Sequence, residues 1–135
     1  MQRGIVIFKN QKDILVKHAK RNVPNESCAI LFGKMENDNI TVKDVFLTKN
    51  IEESSVNFTI SNDELIKGYA EAEKRKLDVV GIFHSHPNSS AHPSLTDKKF
   101  MEINPVPWII FSNENEEMKA YLYESKIIEI NLTVV

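Results

Sequence analysis

Two histidines and an aspartate are spaced so that they could hold one metal ion. His84 and His86 follow an apolar segment that indicates a buried strand, and alternate residues of an extended chain project to the same side. The segment Ser94-Leu-Thr-Asp97 begins ten residues after His84 and has the form of a helix start, which would return a carboxylate towards the end of that strand. Two neutral imidazoles and one carboxylate, with no fourth protein ligand, match a catalytic zinc site whose open position holds water. The spacing therefore predicts one zinc ion per chain, bound by His84, His86 and Asp97.

The elements next to these residues can be predicted from the sequence pattern. Residues 79–83 are apolar on both faces, which is typical of a strand in the centre of a sheet. Ser61-Asn-Asp-Glu64 is a capping box and predicts a helix over 62–76. We expect one apolar face of this helix to carry Leu65, Ile66, Tyr69, Ala70 and Ala72.

The rest of the chain also alternates between strand and helix patterns. Residues 4–8 predict a strand, Asn10 an N-cap for the helix that follows, and residues 37–39 a turn between two paired strands. The further predicted elements are strands at 27–32, 40–47, 108–111, 118–123 and 127–134 and a short helix at 95–103. This order predicts an α/β (α+β) fold, with a mixed sheet flanked by helices in a single domain over 1–135.

Composition excludes several classes of protein. Seventeen basic against nineteen acidic residues give a net charge of −2, which argues against a nucleic-acid-binding module. The longest apolar runs have five residues, against about 20 needed for a membrane span. One cysteine cannot form an intramolecular disulfide, and the N-terminal segment has no secretory pattern. We therefore expect a cytoplasmic protein that binds neither nucleic acid nor membrane.

The candidate ligands belong to a longer pattern that resembles a known family. The JAMM (MPN-plus) metalloproteases carry a distant Glu, then His-Ser/Thr-His-Pro, seven residues counted from that Pro, and Ser-x-x-Asp. Here the pattern stands as Glu26, His84-Ser85-His86-Pro87 and Ser94-Leu-Thr-Asp97. Residues 24–33 also resemble the family's segment around its glutamate, and the resemblance covers nearly the whole chain.

The resemblance implies a role for each matching residue. His84, His86 and Asp97 would bind zinc, and Glu26 would be the general acid/base that takes the proton of the attacking water and passes it to the leaving amine. Ser94 would stabilise the developing oxyanion. The implied fold is the MPN/JAMM fold, whose layout is related to that of the zinc deaminases.

The resemblance also implies a substrate class. It points to hydrolysis of an isopeptide or peptide bond after the C-terminal Gly-Gly of a ubiquitin-like protein. Only ten residues separate Asp97 from Trp108, so the chain is similar to the minimal prokaryotic members, which lack insertions that grip ubiquitin. Adducts at the C-terminus of sulfur-carrier proteins are an alternative substrate, and the sequence does not choose between the two.

Plainer interpretations apply to single residues. Glu26 by itself would be a solvated carboxylate in a turn, and Ser94 could serve only as an N-cap, a role worth about 1 kcal/mol to folding. His92 has no counterpart in the family pattern and is predicted to lie in a surface loop. The side chains expected in the core are Cys28, Trp108 and Phe111.

Three rival functions are open to the same residues. Two histidines and a carboxylate also bind Fe(II) in non-haem oxygenases, but these usually have all-β folds, unlike this mixed pattern. A non-catalytic scaffold of the same fold generally lacks the ligand set that is complete here. Zinc deaminases need His-x-Glu and Cys-x-x-Cys, and neither occurs in the sequence.

Overall fold

The protein is built on a mixed β-sheet, with helices after three of its strands. Our computed structural model describes residues 4–135, which contain seven strands and three helices. In chain order these elements are β1 (Gly4–Ile7), α1 (Lys9–Asn22), β2 (Cys28–Glu36), β3 (Asn39–Thr48), α2 (Asn62–Lys74), β4 (Asp78–His86), α3 (Leu95–Ile103), β5 (Trp108–Ser112), β6 (Met118–Glu124) and β7 (Lys126–Val134). The predicted fold class is confirmed.

Strand β4 lies near the middle of the sheet, in the spatial order β1-β3-β2-β4-β5-β6-β7. It pairs antiparallel with β2 and parallel with β5. Strand β1 pairs in parallel with both β3 and β7, and the small sheet must be strongly curved to bring these two strands to either side of β1. A strand paired on both sides has its backbone hydrogen bonds satisfied, which makes it a rigid support for the side chains at its carboxyl end.

The predicted hairpin of β2 and β3 is present, and β2 extends four residues beyond the predicted end at Phe32. The register of the pair shifts between Phe32 and Gly33. A Cβ atom at Gly33 would collide with the carbonyl oxygen of Thr41, so the close approach of β3 requires glycine there.

The expected N-cap of α1 is wrong, and the expected buried face of α2 is right at Leu65 and Ala72 but wrong at Ile66, Tyr69 and Ala70. The N-cap of α1 is Phe8, not Asn10, because the Gln11 carboxamide accepts the Phe8 N–H at 2.9 Å and donates to the Val42 carbonyl. The buried residues of α2 are Gly68 and Ala72, whereas Ile66 and Tyr69 are 69% and 60% exposed. A Cβ at Gly68 would press on Ile30, so the helix approaches the sheet through its glycine and turns Ile66 and Tyr69 outward.

The core lies on both faces of the sheet. Leu15 and Ala19 of α1 belong to one apolar cluster, and Ala72 of α2 and Met101 of α3 belong to the other. The predicted core residues Cys28, Trp108 and Phe111 are each at most 1% exposed. Within residues 4–135, no helix has both the length and the apolar character that a membrane crossing requires.

Candidate metal centre and active site

The ligand atoms of His84, His86 and Asp97 meet at one point. Asp97 Oδ2 lies 3.1 Å from His84 Nε2 and 3.0 Å from His86 Nε2, and the two Nε2 atoms are 3.2 Å apart. Strand β4 brings the two imidazoles to the same side, and the first turn of α3 supplies the carboxylate. The three residues that the sequence predicts as ligands are therefore adjacent, and together they could bind a metal ion.

All three side chains are buried, with exposures of 0% for His84, 4% for His86 and 3% for Asp97. Burial lowers the pKa of His84 despite the neighbouring carboxylate, so this imidazole is neutral, as a metal ligand must be. Burial would raise the pKa of Asp97, but its electrostatic interaction with His84 and the hydrogen bonds from His84, His86 and the Ser94 amide hold it well below its usual range. The site therefore contains a permanent anion with two imidazoles directed at it.

The orientation of His86 is set by a backbone carbonyl. His86 Nδ1 lies 2.7 Å from the Ser90 oxygen, so Nδ1–H donates to it and Nε2 is left with a free lone pair facing Asp97. Burial lowers the pKa of His86, but the Asp97 carboxylate and the Ser90 carbonyl outweigh it, and the pKa lies above its usual value. Protons and a metal cation would thus compete for this nitrogen.

The orientation of His84 depends on aromatic packing. The ring of Phe58 stacks on the imidazole with centroids 4.8 Å apart, and Trp108 meets it edge-on at 5.6 Å. His84 Nδ1 is buried and has no hydrogen-bond partner among residues 4–135. The two rings therefore confine the imidazole where a hydrogen bond would otherwise orient it.

Ser94 and Asp97 form a reciprocal capping box at the start of α3. Ser94 Oγ accepts the Asp97 N–H at 3.0 Å, and Asp97 Oδ2 accepts the Ser94 N–H at 2.9 Å. The predicted N-cap role of Ser94 is confirmed. The same exchange fixes the rotamer of Asp97, so the oxygen that faces the histidines is already oriented before any metal binds.

Glu26 precedes β2 and lies in the wall of the same pocket as His86 and Ser94. It is only 3% exposed, and its Oε1 atom has no hydrogen-bond partner within residues 4–135. Burial raises the pKa of Glu26 to about 8, opposed by the charge of His86 and assisted by the charges of Asp97 and Glu52. A buried carboxyl group with a pKa near neutrality, beside a candidate metal site, is suited to accepting and returning a proton.

His92 lies in an exposed loop, as predicted, and it also borders the pocket that contains Glu26. Its Nδ1 atom is 3.1 Å from Ser90 Oγ. It does not belong to the cluster of His84, His86 and Asp97.

Comparison with known proteins agrees with this geometry. The family model of prokaryotic homologues of the JAB domain matches residues 9–123, which is most of the chain. The protein belongs to the Prok-JAB family. The resemblance to the minimal prokaryotic JAMM proteins, inferred from the residues alone, is thereby confirmed.

Relatives within this family include named hydrolases. A desampylase of Pyrococcus furiosus is 40% identical over 111 residues, covering 81% of this chain and 76% of that protein. A CysO-cysteine peptidase of Mycobacterium tuberculosis is 27% identical over 135 residues, covering 97% and 91% of the two chains. The solution structure of a protein from Desulfitobacterium hafniense superimposes with a TM-score of 0.88 at 26% identity, covering 97% of this chain and 92% of that one.

One pair of buried serines in this Prok-JAB domain is absent from the sequence prediction. Ser85 lies between the two histidines, and its Oγ accepts the Ser27 N–H at 2.9 Å and lies 2.8 Å from Ser27 Oγ. The pair connects the strand of the histidines to the residue after Glu26. The only signal in the sequence is that Ser85, as the central residue of His-Ser-His, must point away from both ligands.

The donor set of this Prok-JAB domain fits a zinc ion. Zinc prefers nitrogen and oxygen ligands in tetrahedral sites, and catalytic sites keep one position open. Three ligand atoms converge here, one imidazole is kept neutral by burial, and the other is held with Nε2 directed inward. His84, His86 and Asp97 would therefore hold a metal ion next to the pocket that Glu26 lines.

Proposed function

We propose that this protein is a zinc-dependent isopeptidase of the JAMM type, which cleaves the bond after the C-terminal Gly-Gly of a ubiquitin-like modifier. The single observation that carries the proposal is the convergence of the His84, His86 and Asp97 ligand atoms beside the buried carboxyl group of Glu26. Membership of the Prok-JAB family and similarity to a desampylase support it.

His84, His86 and Asp97 would hold the zinc ion, which when bound would supply Lewis-acid chemistry and lower the pKa of water to about 7. The protein's own residues then handle the protons. Glu26 accepts the proton of the attacking water and delivers it to the leaving amine, and burial, which raises its pKa, favours the protonated form that the second step needs. Because Glu26 is buried, exchange of that proton with bulk water is restricted.

Ser94 is proposed to stabilise the oxyanion of the tetrahedral intermediate. Its Oγ accepts the Asp97 N–H, which leaves the hydroxyl proton for donation into the pocket. A preorganised donor of this kind is typically worth about 10²–10³ in kcat. The capping role and the catalytic role are compatible because they use different parts of the same hydroxyl group.

A second substrate class has its own support. The similarity to a CysO-cysteine peptidase extends over 97% of this chain, and it favours hydrolysis of an adduct at the C-terminus of a sulfur-carrier protein. Both substrates present an extended C-terminal tail and an amide bond, so the same residues would serve either reaction.

The other rivals have less support. A non-haem oxygenase would use a similar ligand set, but the relatives of this chain include a desampylase and a CysO-cysteine peptidase. A non-catalytic scaffold does not require a buried metal-ligand cluster next to a carboxyl group with a raised pKa.

The test is cleavage of three substrates side by side, with and without a zinc chelator. The substrates are a lysine-linked ubiquitin conjugate, a lysine-linked conjugate of a prokaryotic ubiquitin-like modifier, and a sulfur-carrier protein bearing a C-terminal cysteine. We expect release of the intact modifier from one of the two conjugates, loss of activity with the chelator, and its return on adding Zn²⁺. Cleavage of the sulfur-carrier adduct alone would establish the second substrate class. Cleavage that the chelator leaves unchanged would contradict the metal-dependent mechanism.

A further inference from the structure

We propose that Asn50 is a positioning residue that holds the backbone of Glu26 against the metal site. The inference rests on the proposed function, because it assigns a role through Glu26. Asn50 follows β3, is 4% exposed, and lies 24 residues from Glu26 in the chain. Neither the motif nor the spacing of charged residues points to it.

The carboxamide of Asn50 makes four hydrogen bonds. Its Nδ2 donates to the carbonyl oxygens of Glu26 and Asn57, each at 3.0 Å, and its Oδ1 accepts the N–H groups of Glu52 and Thr59, each at 3.1 Å. Two donors and two acceptor positions are thus all used. One buried side chain therefore connects the backbone of Glu26 to both ends of the loop formed by residues 52–59.

The same loop makes a second hydrogen bond to the backbone of Glu26. The Glu26 N–H donates to the Ser54 carbonyl at 2.8 Å, so both backbone polar groups of Glu26 are held by Asn50 or by the loop that Asn50 closes. Ser54 Oγ accepts the N–H groups of Val56 and Asn57, which tightens the turn. The same loop carries Phe58, whose ring stacks on His84.

These backbone anchors matter because the carboxyl group has little else to hold it. Glu26 Oε1 is buried without a hydrogen-bond partner in residues 4–135, so its position follows from the backbone. Ser27 is anchored to Ser85 on the side of β4, and Asn50 anchors Glu26 on the side of the loop. A displacement of the reacting group by about 1 Å can cost about 100-fold in rate, so loss of one anchor should be visible in kcat.

The kinetic test compares two substitutions of Asn50 with a matched control. Asn50→Asp keeps the acceptors but removes both donors, and Asn50→Ala removes all four bonds. The control is Thr48→Val. Thr48 is also 4% exposed, and the hydroxyl that this substitution deletes bonds to Cys28 and not to Glu26. We expect kcat to fall about 10–100-fold in both Asn50 variants with KM and zinc stoichiometry nearly unchanged, and Thr48→Val to keep its kcat.

A second readout does not depend on activity. In metal-free protein, hydrogen exchange of the Glu26 amide reports directly on its bond to the Ser54 carbonyl. We expect this amide to exchange at least tenfold faster in Asn50→Ala than in the wild type, while the amide of Ile30 in β2 is unchanged. Ser54→Ala, at a half-buried position, is a milder variant that should also speed the hydrogen exchange of the Glu26 amide.

The outcomes separate this inference from the proposed function. A wild-type protein that cleaves none of the substrates contradicts the proposed function, and the exchange experiment still decides the role of Asn50. Unchanged Glu26 exchange in Asn50→Ala overturns the positioning role, as does an active wild type whose Asn50 variants keep full kcat. An equal loss of kcat in Thr48→Val also overturns it, because the effect would then be a general loosening of the fold.

Discussion

Ser85 and Ser27 join the two halves of the candidate active site through three contacts. The Ser27 N–H donates to Ser85 Oγ at 2.9 Å, the two hydroxyl oxygens are 2.8 Å apart, and the Ser85 N–H donates to the Ser27 carbonyl at 3.1 Å. Both residues are at most 1% exposed. Because one serine follows Glu26 and the other separates the histidines, this pair sets the register between the proposed proton carrier and the metal ligands.

Removing the Ser85 hydroxyl should weaken both the fold and the site. In Ser85→Ala the buried Ser27 N–H loses its acceptor, which should cost about 1–3 kcal/mol of unfolding free energy and reduce kcat. Urea titration and steady-state kinetics measure the two effects. The control is Ser112→Ala in β5, which loses a buried hydroxyl bonded to the Ser89 carbonyl, and we expect it to lose stability but little activity. Full stability in Ser85→Ala would show that the hydrogen bond between Ser27 and Ser85 does not stabilise the fold.

Glu26→Gln should abolish turnover without releasing zinc. Glutamine keeps the shape of the side chain but cannot take a proton, and loss of a general acid/base typically costs about 10²–10⁴ in rate. The rate of chelator-sensitive cleavage measures turnover, and zinc analysis of the purified variant measures the zinc content. The matched control is Glu53→Gln, an exposed carboxylate on the neighbouring loop, which should stay active. Activity retained by Glu26→Gln would show that another group moves the proton.

Asp97→Asn should lower the affinity for zinc. The amide removes the negative charge from the point where the two Nε2 atoms converge, while its oxygen can still accept the Ser94 N–H and keep the helix start. Loss of an outer hydrogen-bond partner costs about 10–100-fold in metal affinity, and loss of a charged ligand should cost at least as much. Competition with a zinc indicator measures it. Asp63→Asn, in the first turn of α2, is the control, and full zinc content in Asp97→Asn would place the third ligand elsewhere.

Zinc binding should weaken as the pH falls. Both imidazoles must be neutral to bind metal, and the pKa of His86 is raised above its ordinary value of about 6.5, because Asp97 and the Ser90 carbonyl outweigh the opposing effect of burial. Protons therefore begin to compete near neutral pH, and occupancy should drop clearly below about pH 6. Titrations with Zn²⁺ between pH 7.5 and pH 5 measure this. An unchanged dissociation constant at pH 5 would contradict ligation by His86.

The metal-free protein should lose stability as the pH rises, because of Glu26. Burial raises the pKa of this carboxyl group from 4.5 to about 8, so its contribution to stability is fully present below pH 4.5 and is lost as the pH rises through about 8. Glu26→Gln has no titrating proton at this position, so its free energy of unfolding should rise relative to that of the wild type by about 3–4 kcal/mol between pH 5 and pH 8, which is several degrees in Tm. Thermal melts with chelator present measure the difference. A constant difference across this range would mean that Glu26 is not buried with a raised pKa.

The sequence by itself determined the parts of the site that depend on local periodicity. The two-residue repeat of a strand places His84 and His86 on one side, and a capping box brings Asp97 into the first turn of a helix. The bounds of α3 and the hairpin of β2 and β3 follow from equally local signals. These predictions are confirmed because spacing and capping act over only a few residues.

Only the tertiary structure decided the contacts that join distant segments. Ser27 and Ser85 are 58 residues apart, and Asn50 reaches Glu26 across 24 residues, so no periodicity in the sequence relates them. The burial of Glu26, and with it the raised pKa, likewise depends on the fold around it. The predicted buried face of α2 was wrong at Ile66 and Tyr69 for the same reason. The close approach of Gly68 to Ile30, rather than the apolar pattern of the helix, turns these two side chains outward.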